Sequence, residues 1–231
     1  LEVALAVFRR VEPAVRALPE KADSDRVVAG DVLARVSGPI AGMLKAERTA
    51  LNLLQRMSGI ATATAEYVAA VQGTRARIID TRKTAPGLRS LDKHAVAAGG
   101  GGNHRHNLGD LVLIKDNHIA ALAAQGMGVR QVVELARKRA RHSLRIEVEA
   151  DNPEQVQEAL EGGADIILLD NMPLEQMRKA VQMADGRALL EASGGITLAN
   201  VAEVARAGVD LISIGALTHS VAALDISMDY E

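Results

Sequence analysis

Six short apolar segments, each followed by charged residues or glycines, constrain the fold of this 231-residue chain more than any other feature. The segments and their following residues are Ile78-Ile79 before 80–83, 111–114 before Lys115, 146–148 before Glu149, 166–169 before Asp170, Leu189-Leu190 ahead of 193–195, and 211–214 before Gly215. Short continuous apolar runs are typical of buried parallel strands. Helical stretches separate most of them, so the pattern predicts parallel strands joined by right-handed crossovers.

Residue types suited to a functional site follow nearly every predicted strand. An open doubly wound sheet binds its ligand at one switch point, whereas a barrel builds its active site from many C-terminal strand ends. We therefore expect an α/β barrel in which the six strand ends contribute to one site. The predicted helices of this barrel cover residues 129–141, 153–160, 173–183 and 198–206.

The first part of the chain has a different pattern. Residues 1–48 are predicted to be β-rich, because 26–38 alternate strand-like runs with glycine turns. Carrier domains for lipoyl or biotinyl groups have a similar hairpin, but no lysine stands at this tip, so we interpret the region as scaffold. The chain opens at Leu1 within an apolar segment, and we expect the natural protein to begin earlier.

Residues 47–72 have helical spacing, and the Ser58-Gly59 interruption predicts two helices that meet at a domain boundary. We expect a first domain over 1–58, onto which 217–231 pack back. The barrel domain is expected over 59–216.

Composition excludes several functional classes. Aromatic residues make up 1% of the chain, which argues against base stacking on nucleic acid, and the net charge of −2 provides no general attraction to it. Cysteine is absent, which excludes thiol nucleophiles and thiolate metal sites and favours a cytoplasmic compartment. The sequence has no visible signal peptide or spanning segment, so we expect no membrane partner.

Positive charge is concentrated locally between Arg75 and His118. This stretch has eight Lys or Arg against four Asp, and four of the six histidines. Such a cluster is most often a solvated face. Because most of these charges lie beside glycine turns and predicted strand ends, we interpret the stretch as a site for a small polyanion.

Two of the strand ends supply candidate cations. Arg82 and Lys83 suit recognition of carboxylate or phosphate, as a planar fork and a point charge. Lys115 is either a cation for a carboxylate or a Schiff-base nucleophile, and a lysine that only reaches the rim is the ordinary alternative.

Four consecutive glycines at 99–102 precede His104 and Arg105. Glycine allows close approach of the main chain at a cost in backbone entropy. A flexible linker is the alternative. Because the run leads directly into Asn-His-Arg, we favour a ligand-binding loop.

Carboxylates and glycine turns follow the later strands. Glu149 and Asp170 can face one another across the barrel mouth and suit Mg²⁺ shared with substrate phosphates, or they balance the basic residues. Glu147 shares a strand face with Glu149, and the pattern does not decide which reaches the ligand. Ser193-Gly194 and Gly215 can cradle a phosphate, although a single such turn is more often only a tight connection.

These segments together resemble the quinolinate phosphoribosyltransferase family. The resemblance runs in unbroken order over 26–231 and is carried by ERTALNLLQRMSGIAT (47–62), DTRKTAPGLR (80–89), GGGGNHR (99–105), LIKDNH (113–118), IEVE (146–149), LLDN (168–171), EASGG (191–195) and IGALTH (214–219). His94 stands where this family usually has tyrosine.

The resemblance implies the type II phosphoribosyltransferase fold, an incomplete TIM-like α/β barrel with a small N-terminal α/β sandwich, in a homodimer. It implies transfer of phosphoribosyl from phosphoribosyl pyrophosphate to quinolinate with decarboxylation, in NAD biosynthesis. A family segment ahead of Leu1 would cover part of the sandwich and the dimer surface.

Residue roles implied by the resemblance fall into three groups. Quinolinate would be bound by Arg48, Arg82, Lys83, His104, Arg105 and Lys115, with Arg48 offered to the neighbouring subunit's site. Glu149 and Asp170 would hold Mg²⁺ with phosphoribosyl pyrophosphate, and Ser193, Gly194 and Gly215 the 5′-phosphate. Lys115 and Lys83 would also act in decarboxylation.

Three alternatives stay open. A relative acting on nicotinate would release no CO₂. A Schiff-base aldolase would be trapped by borohydride on Lys115 and has no use for the glycine run. A carrier module built on the N-terminal hairpin is disfavoured because the hairpin has no lysine at its tip.

Overall fold

The computed structural model describes residues 1–230 and begins with a small unit ahead of the barrel. Its elements are α1 (Glu2–Val11), the antiparallel strands β1 (Arg16–Pro19) and β2 (Ala34–Ser37), and the long helix α2 (Ile40–Ala70). A separate small core, which includes Phe8, Val15 and Met43, lies between α1, α2 and this hairpin. No helix within residues 1–230 is both long enough and apolar enough to cross a membrane.

The rest of the chain alternates strands and helices. The strands are β3 (Arg77–Ile79), β4 (Val112–Ile114), β5 (Ile146–Ala150), β6 (Ile166–Asp170), β7 (Leu189–Ser193) and β8 (Leu211–Ser213). The helices are α3 (Arg89–Ala98), α4 (Asp116–Ala123), α5 (Val129–Arg139), α6 (Pro153–Gly162), α7 (Leu174–Ala184), α8 (Val201–Arg206) and α9 (Ala216–His219). All six strands are parallel, in the order β3-β8-β7-β6-β5-β4.

The barrel is incomplete, as predicted, because β3 and β4 are the two edge strands of its sheet. The glycine run lies along the free edge of β3. Gly102 donates to the Ile78 carbonyl at 2.8 Å and accepts from the Asp80 amide at 3.1 Å. A Cβ on Gly101 would come within 2.7 Å of Thr64 and 2.8 Å of Val96, so only glycine fits between β3, α2 and α3. The run is therefore a packed element and not a flexible linker.

The prediction that residues 1–48 are β-rich is wrong. Helix α1 occupies the start, and only Ala34–Ser37 of the stretch 26–38 forms a strand. Aspartates capture backbone amides in the intervening loop: Asp25 accepts from Ala22 at 2.7 Å and Asp31 from Val28 at 3.1 Å. These local hydrogen bonds favour turns over strand pairing.

The prediction of two helices meeting at Ser58-Gly59 is also wrong, since α2 is continuous over 31 residues. Gly59 weakens the helix, but its missing side chain lets the backbone of Ala222 pack directly against α2. The segment after α9 continues along this helix. Leu224 donates to the Gln55 carbonyl at 3.0 Å, and the Gln55 side chain donates to Ile226 at 2.7 Å. Packing thus outweighs local propensity here.

Replacing Gly59 with alanine separates these two effects. Helix propensity predicts that Gly59→Ala stabilises the protein by about 1 kcal/mol. We expect destabilisation of about 1–3 kcal/mol, because the new methyl group would overlap Ala222. Urea unfolding measures the difference, with Thr62→Ala on an exposed part of α2 as the control. A Gly59→Ala protein more stable than the wild type would contradict the packing argument.

Candidate active site

Three of the predicted cations come from two neighbouring segments of the barrel rim. Arg82 and Lys83 follow β3, and Arg105 follows the glycine run beside that strand. Burial, and then the positive charge of Arg82, lower the pKa of Arg105, so the two guanidinium groups lie close enough to repel. The Nε atom of Arg82 is buried and has no hydrogen-bond partner among the described residues. Two arginines held together in this way suit a ligand with more than one negative charge.

A buried ion pair beneath these arginines was missed by the sequence analysis. Lys93 of α3 pairs with Asp80, and their side chains are 4% and 0% exposed. Asn103 donates to Asp80 Oδ2 at 2.7 Å, and the His104 amide donates to Asp80 Oδ1 at 2.8 Å. Lys93 also donates to the His104 carbonyl at 3.0 Å. A lysine inside a helical pattern gives no sequence signal of burial, since lysine is almost never buried unless it is paired.

A second ion pair links four elements. Arg56 of α2 donates to both oxygens of Asp92 on α3, at 2.9 and 2.8 Å, and to the Thr218 carbonyl of α9 at 2.8 Å. Thr218 in turn donates to the Lys83 carbonyl at 2.8 Å. The loop after β3 is therefore fixed to three helices, although neither Arg56 nor Asp92 was predicted.

The predicted carboxylates lie at the ends of β5 and β6. Glu149 accepts from Lys115 Nζ at 2.6 Å and from the Asp116 amide at 3.1 Å. Burial, followed by the negative charges of Glu149 and Asp151, raises the pKa of Asp170, while Lys115 opposes the shift. Glu149 and Asp170 are thus close like charges that a cation between them would relieve. Hard oxygen donors of this kind fit Mg²⁺, and the two residues could hold that ion.

The predicted phosphate turns lie beside these groups. Ser193 pairs in register with Asp170 across β6 and β7, and its carbonyl accepts from the Asn171 amide at 2.9 Å. A Cβ on Gly215 would lie 3.1 Å from Lys83 Cδ, so the lysine stem passes over this turn. The structure therefore brings the glycine turns to the same end of the barrel as Lys83 and Asp170. Arg48 lies elsewhere, exposed in the N-terminal half of α2.

His104 points into the barrel towards two glutamates, Glu147 of β5 and Glu191 of β7. Its Nε2 lies 3.1 Å from Glu147 Oε2 and 3.6 Å from Glu191 Oε2. Glu147 and Glu149, indistinguishable in sequence, thus have different neighbours: Glu147 faces His104 and Glu149 faces Lys115. The signal for Glu191 in the sequence was only a charged residue inside an apolar strand.

The charge state of this cluster depends on burial and mutual repulsion. Burial, then the charge of Glu147, raises the pKa of Glu191 to about 8. Burial disfavours the charged form of His104, but the hydrogen bond to Glu147 and the charges of both glutamates outweigh it and raise its pKa. Protonating Nδ1 would break its hydrogen bond from the Arg105 amide, at 2.7 Å. The geometry thus favours the neutral imidazole with its proton on Nε2.

The same tautomer bears on metal binding. His104, Glu147 and Glu191 have ligand atoms close enough to hold an ion. A metal-bound histidine normally donates its other ring N–H to an acceptor. Here Nδ1 accepts a hydrogen bond, so Nε2 holds the proton that a metal would have to displace. Among the described residues, Glu147 Oε2 and both carboxyl oxygens of Glu191 are buried without a hydrogen-bond partner, so the tautomer of His104, and not a shortage of free ligand atoms, is what opposes a metal here.

Comparisons with known proteins agree over the whole length of the chain. Residues 1–58 match the family described as quinolinate phosphoribosyl transferase, N-terminal domain, and residues 60–229 match the corresponding C-terminal domain. The nicotinate-nucleotide pyrophosphorylase (carboxylating) of Mycobacterium leprae is 48% identical over 99% of this chain and 81% of its own. A quinolinate phosphoribosyltransferase (decarboxylating) of Nicotiana glauca, described as mitochondrial, is 42% identical over 98% of this chain and 68% of its own. The crystal structure of NadC from Streptococcus pyogenes has a TM-score of 0.94 at 40% identity, covering 100% of this chain and 80% of that one.

The raised pKa of Glu191 predicts a pH-dependent stability. Between about pH 4.5 and pH 8 the folded protein keeps a proton that the unfolded chain releases, so the free energy of unfolding falls as pH rises through this window. Glu191→Gln keeps an uncharged side chain throughout and should flatten that fall. Urea unfolding at pH 5.5, 7 and 8.5 measures the slope. Glu66→Gln, on an exposed part of α2, is the control, and an unchanged slope in Glu191→Gln would show that Glu191 is ionised in the folded protein.

Proposed function

This chain belongs to the quinolinate phosphoribosyl transferase family, and from that membership we propose how its residues carry out the reaction. Its activity is the transfer of phosphoribosyl from phosphoribosyl pyrophosphate to quinolinate with decarboxylation. The products are nicotinate mononucleotide, pyrophosphate and CO₂, and the reaction belongs to de novo NAD biosynthesis. The observation that carries the assignment of roles is the meeting of Arg82, Lys83, Arg105 and Lys115 beside two carboxylates at one barrel end.

Binding of the acceptor is proposed to depend on the cations. Quinolinate has two carboxylates, and Arg82 and Arg105 offer two guanidinium forks that already lie close to one another. Lys83 and Lys115 add point charges, and His104 is proposed as a further, uncharged ligand of quinolinate. Arg48 is proposed to complete the acceptor site of a second subunit. In support, Arg48 is exposed, and so are the large apolar side chains of Leu18, Val28, Ile40 and Leu44 in the same part of the chain.

The sugar donor is proposed to lie across the ends of β5 to β8. Glu149 and Asp170 would hold Mg²⁺, which when bound neutralises charge on the pyrophosphate group. Ser193, Gly194 and Gly215 would receive the 5′-phosphate through backbone N–H groups. In this arrangement the anionic donor binds at the end of the barrel where Glu149, Asp170 and the glycine turns of the protein lie together.

The first chemical step forms a bond between the quinolinate ring nitrogen and C1 of the ribose as pyrophosphate leaves. Its transition state resembles an oxocarbenium ion, and positioned charges stabilise it. The nitrogen becomes a pyridinium. As CO₂ departs, the electron pair of the C–CO₂⁻ bond stays on the adjacent ring carbon, where the positive charge of the neighbouring nitrogen stabilises it. Lys83 and Lys115 are proposed to orient the departing carboxylate and to stabilise the carbanion, which is protonated at the ring carbon. Because Lys115 is paired with Glu149 in the free protein, it must exchange this partner for the substrate.

The assay is to incubate the protein with quinolinate, phosphoribosyl pyrophosphate and Mg²⁺ and to measure nicotinate mononucleotide and CO₂ together. Equal yields are expected. Lys115→Ala should lower kcat about 10²–10³-fold, in the range found when one transition-state charge partner is removed. Lys138→Ala, which changes an exposed lysine in the last turn of α5, should leave turnover unchanged. Nucleotide without CO₂ would indicate a nicotinate-type acceptor, and borohydride trapping on Lys115 would indicate an aldolase.

Asp170→Asn tests the proposed magnesium ligands. Removing one of two carboxylates should raise the Mg²⁺ concentration for half-maximal activity about tenfold or more, because ligand charge sets the affinity for this ion. Quinolinate binding alone, measured by calorimetry, should change less than about twofold, since Asp170 is not among the proposed acceptor ligands. Glu203→Gln, an exposed carboxylate on α8, is the control. An unchanged Mg²⁺ requirement in Asp170→Asn would remove this residue from the metal site.

We also propose a cytoplasmic location, in line with a chain that has no cysteine.

A further inference from the structure

We propose that Asp80, Lys93 and Asn103 form a clamp that positions Arg82 and Arg105 for a dicarboxylate before it binds. None of the three clamp residues is among the proposed ligands of either substrate. The inference rests on the function proposed above and adds the group that sets the spacing between its two arginines.

The clamp follows Gly102, the last residue of the glycine run that pairs with the backbone of β3. Gly102 bonds to β3 through both its amide and its carbonyl, and the next backbone groups along the glycine segment have no strand partner. Beyond Gly102, side chains provide the hydrogen bonds to the backbone. Asp80 accepts from the His104 amide, and Lys93 donates to the His104 carbonyl, so both polar groups of that peptide residue are fixed by one buried ion pair.

Asn103 connects the two members of the pair a second time. Its side-chain amide donates to Asp80 Oδ2 at 2.7 Å and to the Lys93 carbonyl at 2.9 Å. Asp80 lies two residues before Arg82, and His104 lies one residue before Arg105. The clamp therefore sets the distance between the two chain segments immediately next to the arginines.

Such a clamp is needed because the arginines repel each other in the free protein. The charge of Arg82 lowers the pKa of Arg105, and Arg82 Nε is buried with no hydrogen-bond partner in the part of the chain that the structure describes. Without a constraint, the two guanidinium groups would separate, and a ligand would have to draw them together again at a cost in affinity. Holding them in the bound arrangement removes that cost in advance. The clamp is buried, so water screens it little and it keeps its strength at ordinary salt concentrations.

The mildest test is Asn103→Ala, which removes two hydrogen bonds and leaves the ion pair in place. We expect the KM for quinolinate and its calorimetric Kd to rise about tenfold, in line with two lost hydrogen bonds. The KM for phosphoribosyl pyrophosphate and kcat should stay within about twofold, because neither depends on the spacing of the arginines. Lys93→Met should give a larger rise in the same direction if it folds.

A matched control separates positioning from general loss of stability. Val133→Ala removes buried volume from α5, outside the clamp, and should lower the free energy of unfolding without raising the KM for quinolinate. If Asn103→Ala behaves like Val133→Ala, the clamp has only a structural role and the proposal is overturned. If the wild type binds no quinolinate at all, the proposed function itself fails. If the wild type binds it and Asn103→Ala binds it equally well, the function stands and only the clamp is wrong.

Discussion

The free edge of β3 is the constraint on which the rest of this structure depends. A sheet of six parallel strands that does not close leaves backbone groups of its edge strands without partners, and such groups must be satisfied. The glycine run satisfies them at β3 without adding a strand, because Gly102 reaches the backbone of Ile78 and Asp80. A side chain at Gly99 would collide with α2, and one at Gly101 with both α2 and α3, so at these two positions the requirement for glycine comes from packing.

Covering the edge of β3 in this way also determines where the positively charged side chains lie. The segment that covers β3 continues directly into Asn103, His104 and Arg105, so the basic residues arrive next to Arg82 as a consequence of backbone pairing. Two of the buried charged residues below them are compensated: Lys93 pairs with Asp80, and burial raises the pKa of Glu191 to about 8, so its side chain keeps a proton at neutral pH. On the rim, Arg82 Nε has no hydrogen-bond partner among the described residues, and the pKa of Arg105 is lowered by burial and by Arg82 although three carboxylates oppose the shift. The positive charge left over is therefore confined to the barrel mouth, where an anionic ligand can reach it.

The ends of the strands could be predicted from sequence, because a buried parallel strand requires an uninterrupted apolar run, and such runs are visible in the sequence. Arg82, Lys115, Glu149 and Asp170 were located by that rule alone. Asp80, Lys93 and Glu191 could not be recognised, because their burial depends on partners from distant segments that the sequence does not show together. The two errors in the first part of the chain have different causes. Local hydrogen bonds to Asp25 and Asp31 form turns ahead of β2 where further strands were predicted. At Gly59 a tertiary contact, with Ala222, makes the glycine compatible with a continuous helix.

Helix α2 belongs to both parts of the protein at once. The two family matches divide between residues 58 and 60, in the middle of a rigid rod of about 46 Å. Each residue along an α-helix turns the following side chains by about 100°, so the number of residues between Arg48 and the barrel fixes the direction in which Arg48 points. Inserting or deleting one residue within that stretch would rotate Arg48 to another face, and it would also shift Glu47 relative to Gln55, although the segment after α9 bonds to both. The number of residues in one helix thus relates the orientation of the small unit to that of the barrel.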